Sequence, residues 1–348
     1  MTPARSPGPT IAVIVPNRND SRHIQRCLRS VLAQDVGPDE LIVVDDQSTD
    51  DSVAVIRSVI SGYSQAQLVE NPVNLGVYGA IDEGLKRSRS DYVLFLAAND
   101  FVLPGIFARA KACLERAPGV GLWSAMAWIV DERDRPVRLH LSPVVALGDA
   151  VLTPTRCVQL AKRLGGWFTG TTMIFRRTAL EAVGRFDPAY MGLSDLITAL
   201  MVASREGAAY TPEPLAVVRM HADSYLFSRT LGNPEVLEGI LEHLRIRAPR
   251  HAPELFTAAF LDRTARRFRF ASVRASQGAA VSAVADRSSG WTRRVLYLVD
   301  FLLPRSWRLA RVALAFLILR PFDILPSIWN RIFGWALVRY RSRWSAPP

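Results

Sequence analysis

Two adjacent carboxylates, Asp45 and Asp46, close an apolar run from Leu41 to Val44, and Ser48, Thr49 and Asp50 follow at once. Paired acids at the end of a buried strand suit a ligand with amide donors, such as a pyrimidine ring, or a bound cation. Capping of the next helix and turn is the other use of such acids. An earlier apolar run, Ile11 to Val15, breaks at Pro16 into the polar turn Asn17-Arg18-Asn19-Asp20. An amphipathic segment from about Asp20 to Ala33 joins the two runs, which makes a β-α-β unit with polar groups massed where both strands end. Open parallel sheets bind ligands at those ends.

The elements that must position these groups follow the same alternation. Strands are expected at Ile11–Val15, Glu40–Val44, Gln67–Glu70 and Tyr92–Leu96, with helices at Ser21–Ala33, Ser52–Ile60 and Val77–Arg89. That order predicts an α/β, doubly wound, mostly parallel sheet. A further helix should follow Pro104, a residue suited to a first helical turn. Residues 120–150 read as strands and loops. A helix near Thr155–Leu164, a strand at Thr172–Phe175, a helix from about Asp195 to Arg205 and a short last strand at Ala216–Arg219 come next. From Asn233 the spacing turns helical through Leu244 and again from Leu255 to Phe270. Ser272–Gly290 reads as a weak helix or linker.

Read together, these motifs resemble the family 2 glycosyltransferases of the GT-A fold. Their opening pattern, Pro-x-Tyr-Asn and later Val-Asp-Asp-x-Ser-x-Asp, is matched by Pro16-Asn17-Arg18-Asn19 and Val44-Asp45-Asp46-Gln47-Ser48-Thr49-Asp50. The resemblance covers roughly residues 10–228. It implies a GT-A glycosyltransferase domain over 10–228, after a loose tail at 1–9, and an inverting, single-displacement reaction on a nucleotide-sugar. Arg18 stands where the family usually has tyrosine, so a guanidinium would stack on the base. Pro16, Arg18, Asn19, Asp45 and Asp46 are therefore expected at the nucleotide.

The resemblance extends through Asn74-Leu75-Gly76, Ala80, Asp82 and Gly84, with Asp82 in place of an asparagine. Asn74 and Gly76 would meet phosphate or ribose at a helix start. After the fourth strand the family carries an acid-rich turn whose carboxylates hold Mg²⁺ or Mn²⁺. Here it reads Ala97-Ala98-Asn99-Asp100, with Asp100 as its one carboxylate and Asn99 as an amide oxygen donor. Either the ion binds loosely, chiefly through the phosphates, or this turn binds none. Asp195, in Leu193-Ser194-Asp195-Leu196, aligns with the family's catalytic base. Helix capping is the alternative for Ser194 and Asp195. Pro212-Glu213-Pro214-Leu215 through Arg219-Met220-His221 matches the closing Pro-Glu-x-Leu-x-x-x-Arg-x-His pattern. Arg219 and His221 are expected at the diphosphate, His221 also at the metal.

Composition limits what else the chain does. It has 348 residues, and its formal charge of +11 is concentrated at one end. From Trp291 to Pro348 there are ten arginines and two acids, a net +8. These arginines interleave with Trp, Leu, Ile and Phe, while Pro304, Pro321 and Pro326 divide the stretch into short helices. Its longest uncharged stretch, Val312 to Leu319, falls well short of the ~20 apolar residues that cross a bilayer. Amphipathic helices on an anionic membrane surface are the expectation over 291–348, after a helical extension over 229–290. A helical subdomain packed on the core is the alternative; the apolar content argues against nucleic acid. Cys27, Cys113 and Cys157 lie far apart in apolar segments, which suits buried, reduced thiols in a cytosolic setting. Met1–Thr10 carries no apolar stretch of signal-peptide type.

The expected activity is transfer of a sugar from a UDP- or dTDP-linked donor to a lipid-linked glycan or other cell-surface polysaccharide precursor, at the cytoplasmic face of the membrane. The alternative is a non-catalytic nucleotide-sugar-binding protein or an inactive partner of another transferase. A processive polysaccharide synthase is disfavoured, because neither a spanning segment nor a Gln-x-x-Arg-Trp motif occurs.

Overall fold

The computed structural model describes residues 8–131, 133–140, 142–219, 226–276, 280–288, 290–304 and 306–320. The first half alternates as the sequence predicts: β1 (Ile11–Asn17), α1 (Ser21–Leu32), β2 (Glu40–Asp45), α2 (Ser52–Ile60), β3 (Ala66–Glu70), α3 (Gly76–Arg87) and β4 (Tyr92–Phe95). A two-residue β5 (Phe101–Val102) and α4 (Ile106–Arg116) follow. Then come β6 (Leu122–Val130), β7 (Pro136–Leu139), β8 (Ala150–Leu152), α5 (Pro154–Leu164), β9 (Ile174–Arg176), α6 (Arg177–Ala182), α7 (Ser194–Glu206) and β10 (Ala208–Arg219).

The sheet runs β3-β2-β1-β4-β9-β6-β10-β5, with β7 beside β6 and β8 beside β10. β1 to β4 are parallel, and β9 is antiparallel to both β4 and β6. β6 therefore runs with β4, and β10 runs with β6. The carboxyl ends of β1, β2, β4, β6 and β10 thus lie along one edge. The sheet is mixed and mostly parallel, as expected. Period-2 alternation splits its side chains between two cores. Ile14, Ile42, Val44 and Val93 face α3, α5 and α7. Ile11, Val13, Val15, Leu41, Val43 and Leu94 face α1 and α4. Each such fully buried aliphatic side chain contributes about 1.5–3 kcal/mol.

β10 departs from the expected short strand at Ala216–Arg219. It begins eight residues earlier and carries Pro212 and Pro214 in its middle. Proline lacks the N–H that a ladder needs, so these residues sit where the β6 register shifts, between Thr211 and Pro214 and between Pro214 and Ala216. Residues 170–172 form a 3₁₀ turn, so the strand expected at Thr172–Phe175 is displaced to β9.

Beyond the sheet lie α8 (Pro234–His251), α9 (Ala258–Ala275), α10 (Val281–Asp286), α11 (Gly290–Leu302) and α12 (Arg308–Leu319). Leu237, Ile240 and Leu244 of α8 and Phe260, Leu261 and Ala265 of α9 join the core under α7. Farther along α9, Phe270 and Val273 open a separate core with Val281, Val284, Leu296, Val299, Ala315 and Ile318. Arg311 lies inside that second cluster, bonded to the Leu303 carbonyl at 2.8 Å and paired with Asp300. All three cysteines are buried and free.

Candidate active site

The carboxyl edge gathers the sequence-predicted residues in two groups, one on β1 and β2, the other on the turn after β4. In the first group Asp45 is spent on the fold. It accepts from Asn17 Nδ2 at 2.7 Å, Ser48 N at 2.9 Å and Ser48 Oγ at 2.6 Å. Asp46 is 3 % exposed, and its Oδ1 accepts from Asn71 Nδ2 and Leu75 N, each at 2.9 Å. This bond fixes the loop that enters α3. Neither acid caps α2, whose N-cap residue is Asp51. Asn19, at φ 54°, binds the 48–49 turn through Ser48 Oγ at 2.9 Å and Thr49 N at 2.7 Å. Pro16 is half-buried and Arg18 exposed beside it. Asn74 Oδ1 accepts from Gly76 N at 3.0 Å, and Gly76 has φ 73°, a conformation that favours glycine where α3 begins.

In the second group Asp100 is 6 % exposed. Its Oδ2 accepts from Thr171 Oγ1 at 2.6 Å and its Oδ1 from Arg219 N at 2.9 Å. Burial raises its pKa to about 6, against the lowering effect of these bonds and of the Arg219 charge. Arg219 Nη1 donates to the Asn99 carbonyl at 2.7 Å, and Nη2 pairs with Asp134. Asp134 also pairs with Arg26, whose guanidinium lies 4.0 Å from the centroid of the Phe101 ring. Among the described residues, Arg219 Nε is buried without a partner.

A divalent ion requires several free oxygens. Here both Asp100 oxygens already accept protein bonds, and two guanidinium groups flank the turn. Among the described residues no group of three or more His, Cys, Asp or Glu side chains is placed to hold a metal. The donor set at 99–100 therefore does not fit a resident Mg²⁺ or Mn²⁺. His221 lies outside the described residues.

Asp195 stands on the other side of the turn at 170–172, in the first turn of α7. A Cβ on Gly170 would come within 2.8 Å of Asp195 Oδ2, so glycine leaves this space open. The N-cap residue of α7 is Leu193, and among the described residues Ser194 Oγ is buried without a partner; Asp195, though not at the N-cap, bonds a backbone N–H of the first turn. Asp195 Oδ1 accepts from Leu196 N at 2.6 Å. The side chain reaches solvent, yet protein crowds it from several sides. That crowding raises its carboxyl pKa, the direction that favours a general base. The approach to α7 is held by Tyr78, whose hydroxyl donates to the Met191 carbonyl, and by Thr230 Oγ1, 3.1 Å from Gly192 N. Met191 itself adopts φ 45°, ψ −135°, a strained conformation for a side chain of its size.

Arg26, Asp134, Gly170 and Thr171 belong to the site and were not expected from the sequence. Arg26 is one of several arginines on an amphipathic helix, and Asp134 sits in a hairpin tip rich in charge. Neither stands in a motif. His140 is a further neighbour. It bonds Ser142 Oγ at 2.9 Å, which contacts Thr169 Oγ1 at 3.1 Å; burial and the Arg138 charge lower the His140 pKa to about 4.

Comparison with known proteins gives the same assignment. Residues 12–184 match the family described as Glycosyl transferase family 2. An uncharacterized glycosyltransferase of Nostoc sp. is 30 % identical over 182 residues, 51 % of this chain and 54 % of its own length. The chain thus spans about half of that relative. Staphylococcus aureus TarS 1–349, solved with UDP-GlcNAc, aligns with a TM-score of 0.59 at 16 % identity, over 90 % of this chain and 91 % of the other. The mannosyltransferase PcManGT of Pyrobaculum calidifontis, solved with GDP-Man and Mn²⁺, aligns with a TM-score of 0.53 at 20 % identity, over 97 % and 89 %. At these identities the two structures establish the shared GT-A architecture.

Proposed function

We propose, from the match of residues 12–184 to the family described as Glycosyl transferase family 2, that the protein is an inverting transferase acting on a cell-surface glycan precursor. The donor is a nucleotide-sugar of the UDP or dTDP class, and the acceptor is lipid-linked or a growing polysaccharide. The observation that carries the reading is that Asp46 follows β2 and Arg219 ends β10 on the same edge of the sheet, with Asp195 exposed at the start of α7 beside Gly170.

Asp46 accepts the pyrimidine N–H through its Oδ2, with Pro16 and Arg18 covering the ring face and Asn19 and Asp45 holding the turn. Asn74 and Gly76 border the ribose and phosphates. Arg219 neutralises charge on the diphosphate, and Asn99 lines it. Asp195 takes the proton of the acceptor hydroxyl. The acceptor oxygen attacks the anomeric carbon from the face opposite the leaving group, the bond to the diphosphate oxygen breaks, and the nucleoside diphosphate departs. No step is routed through a metal, because the 99–100 turn does not fit one.

The exposed apolar side chains of α11 and α12 support peripheral attachment to an anionic membrane. Phe301 is 86 % exposed, Leu309 88 % and Trp291 68 %. Among the described residues no helix is long and apolar enough to cross a bilayer. The basic residues beyond 320 lie outside the described residues. Binding to anionic liposomes at low salt, partly reversed by salt, is the expected result.

A donor-binding protein without turnover is the second reading, favoured by the depletion of carboxylates at the 99–100 turn. Screening nucleotide-sugars by thermal shift, then assaying donor hydrolysis and transfer, tests both. A protein stabilised by no nucleotide-sugar sinks both; stabilisation without turnover leaves the second.

A further inference from the structure

Asp134 is placed unlike the other acids of the site. It projects from the hairpin tip between β6 and β7, where Asp131 fixes the turn by accepting from Arg133 N at 2.9 Å and Arg135 N at 3.0 Å. Asp134 has φ 59°, a left-handed conformation that aspartate tolerates better than most residues. Its two oxygens reach two cations from opposite elements: Arg26 of α1 on Oδ2 and Arg219 of β10 on Oδ1. The sequence separations are 108 and 85 residues, so only the folded sheet edge assembles this trio.

The two guanidinium groups flank the turn where a metal-dependent relative would carry its acids. Arg219 reaches the turn through the Asn99 carbonyl, and Arg26 through the face of Phe101. Arg219 is 5 % exposed and keeps one buried N–H, at Nε, without an acceptor. A single carboxylate between two forked donors leaves bonding capacity unused. A diphosphate offers more oxygens and more charge in the same span, and guanidinium forks match such oxygens in pairs.

We propose that Arg26 and Arg219 form a metal-independent diphosphate subsite, and that Asp134 occupies it until the nucleoside diphosphate takes its place. This rests on the donor-site reading above and adds to it two residues, Arg26 and Asp134, and the absence of a metal requirement. Asp134 holds the guanidinium groups in position while no donor is bound. On binding, the donor must displace it, so Asp134 lowers affinity for any diphosphate while leaving the nucleoside part untouched. The hairpin tip then becomes the moving part of the site.

Calorimetry on the full chain tests this with uridine, thymidine and guanosine, and with UDP, dTDP and GDP, each in EDTA and in Mn²⁺. Wild-type protein should bind its preferred diphosphate about tenfold or more tighter than the matching nucleoside, in EDTA as in Mn²⁺. Asp134→Asn should tighten the diphosphate severalfold and leave the nucleoside unchanged. Arg26→Ala should erase about tenfold of diphosphate affinity and again spare the nucleoside. If Arg26→Ala does not fold, Arg26→Lys carries the comparison and should weaken the diphosphate less, by losing the fork but keeping the charge. A diphosphate advantage that appears only with Mn²⁺ overturns the proposal. So does an Asp134→Asn variant whose diphosphate affinity stays unchanged or falls, since Asp134 would then be structural. Nucleoside binding with no gain from the diphosphate defeats this subsite but leaves the donor-site reading standing. No binding by any of the six compounds defeats both.

Discussion

At the end of β2, Asp45 and Asp46 stand together and divide the labour: one is absorbed by the turn, the other keeps one oxygen free of the loop it holds. Two strands away, at the turn after β4, the lone carboxylate of Asp100 has given both oxygens to the protein, and arginines press in from α1 and β10. Both halves lie on the same edge. The half proposed for the base keeps the family pattern apart from Arg18, while the half proposed for the phosphates keeps one carboxylate at the 99–100 turn, with Arg26 and Arg219 beside it. Each half is bonded within itself, so a change in one is expected to leave the other undisturbed.

Four substitutions test that division, in falling order of effect. Asp195→Asn should cut kcat by about a hundredfold or more and leave donor affinity unchanged. Full turnover in this variant would remove Asp195 from the base role.

Asp100→Asn comes next. The folded pKa of Asp100, about 6, lies above its unfolded value of about 3.9. The native state therefore binds the extra proton between these values, and stability falls as pH rises from about 4 to about 6, then levels off. The asparagine variant should lack this slope and be more stable at pH 7 by on the order of 2 kcal/mol. Thermal melts across pH 4 to 8 measure it; an unchanged slope would mean that Asp100 is not the group responsible.

Asp46→Asn should weaken nucleoside binding by about tenfold, because an acceptor for the base becomes a donor. Equal loss for nucleosides and diphosphates is expected, and loss confined to diphosphates would break the division into halves. The smallest effect belongs to Asn99→Asp, which returns an acid to the phosphate half. It should create weak Mn²⁺ binding, visible in calorimetry and missing from the parent chain. No response would show that the turn lacks the geometry as well as the charge.

Much of the base-binding half was legible in the sequence. Pro16, Asp45 and Asp46 lie at ends of strands that local hydrophobic period alone predicts, and β1, α1 and β2 fall within two residues of the expected bounds. The phosphate half was read less completely. Its motif showed the missing acids but not what replaced them, since Arg26, Asp134 and Arg219 meet only through long-range pairing. β5 and the first eight residues of β10 escaped notice for a related reason. A two-residue strand has no period, and Pro212 and Pro214 argue against a strand unless a bulge accommodates them. The strain at Met191 likewise has no sequence signature.

The sheet terminates on β3 at one side and on the short strands β5 and β8, both paired with β10, at the other. β5 offers two residues and β3 five, and the outer residues of β3 include Gln67 and Glu70, with Glu70 paired to Arg57. Short, charged margins are poor templates for a strand from another molecule. Margins of this kind disfavour cross-β growth, and among the described residues the exposed apolar side chains of α11 and α12 are the surface more open to self-association.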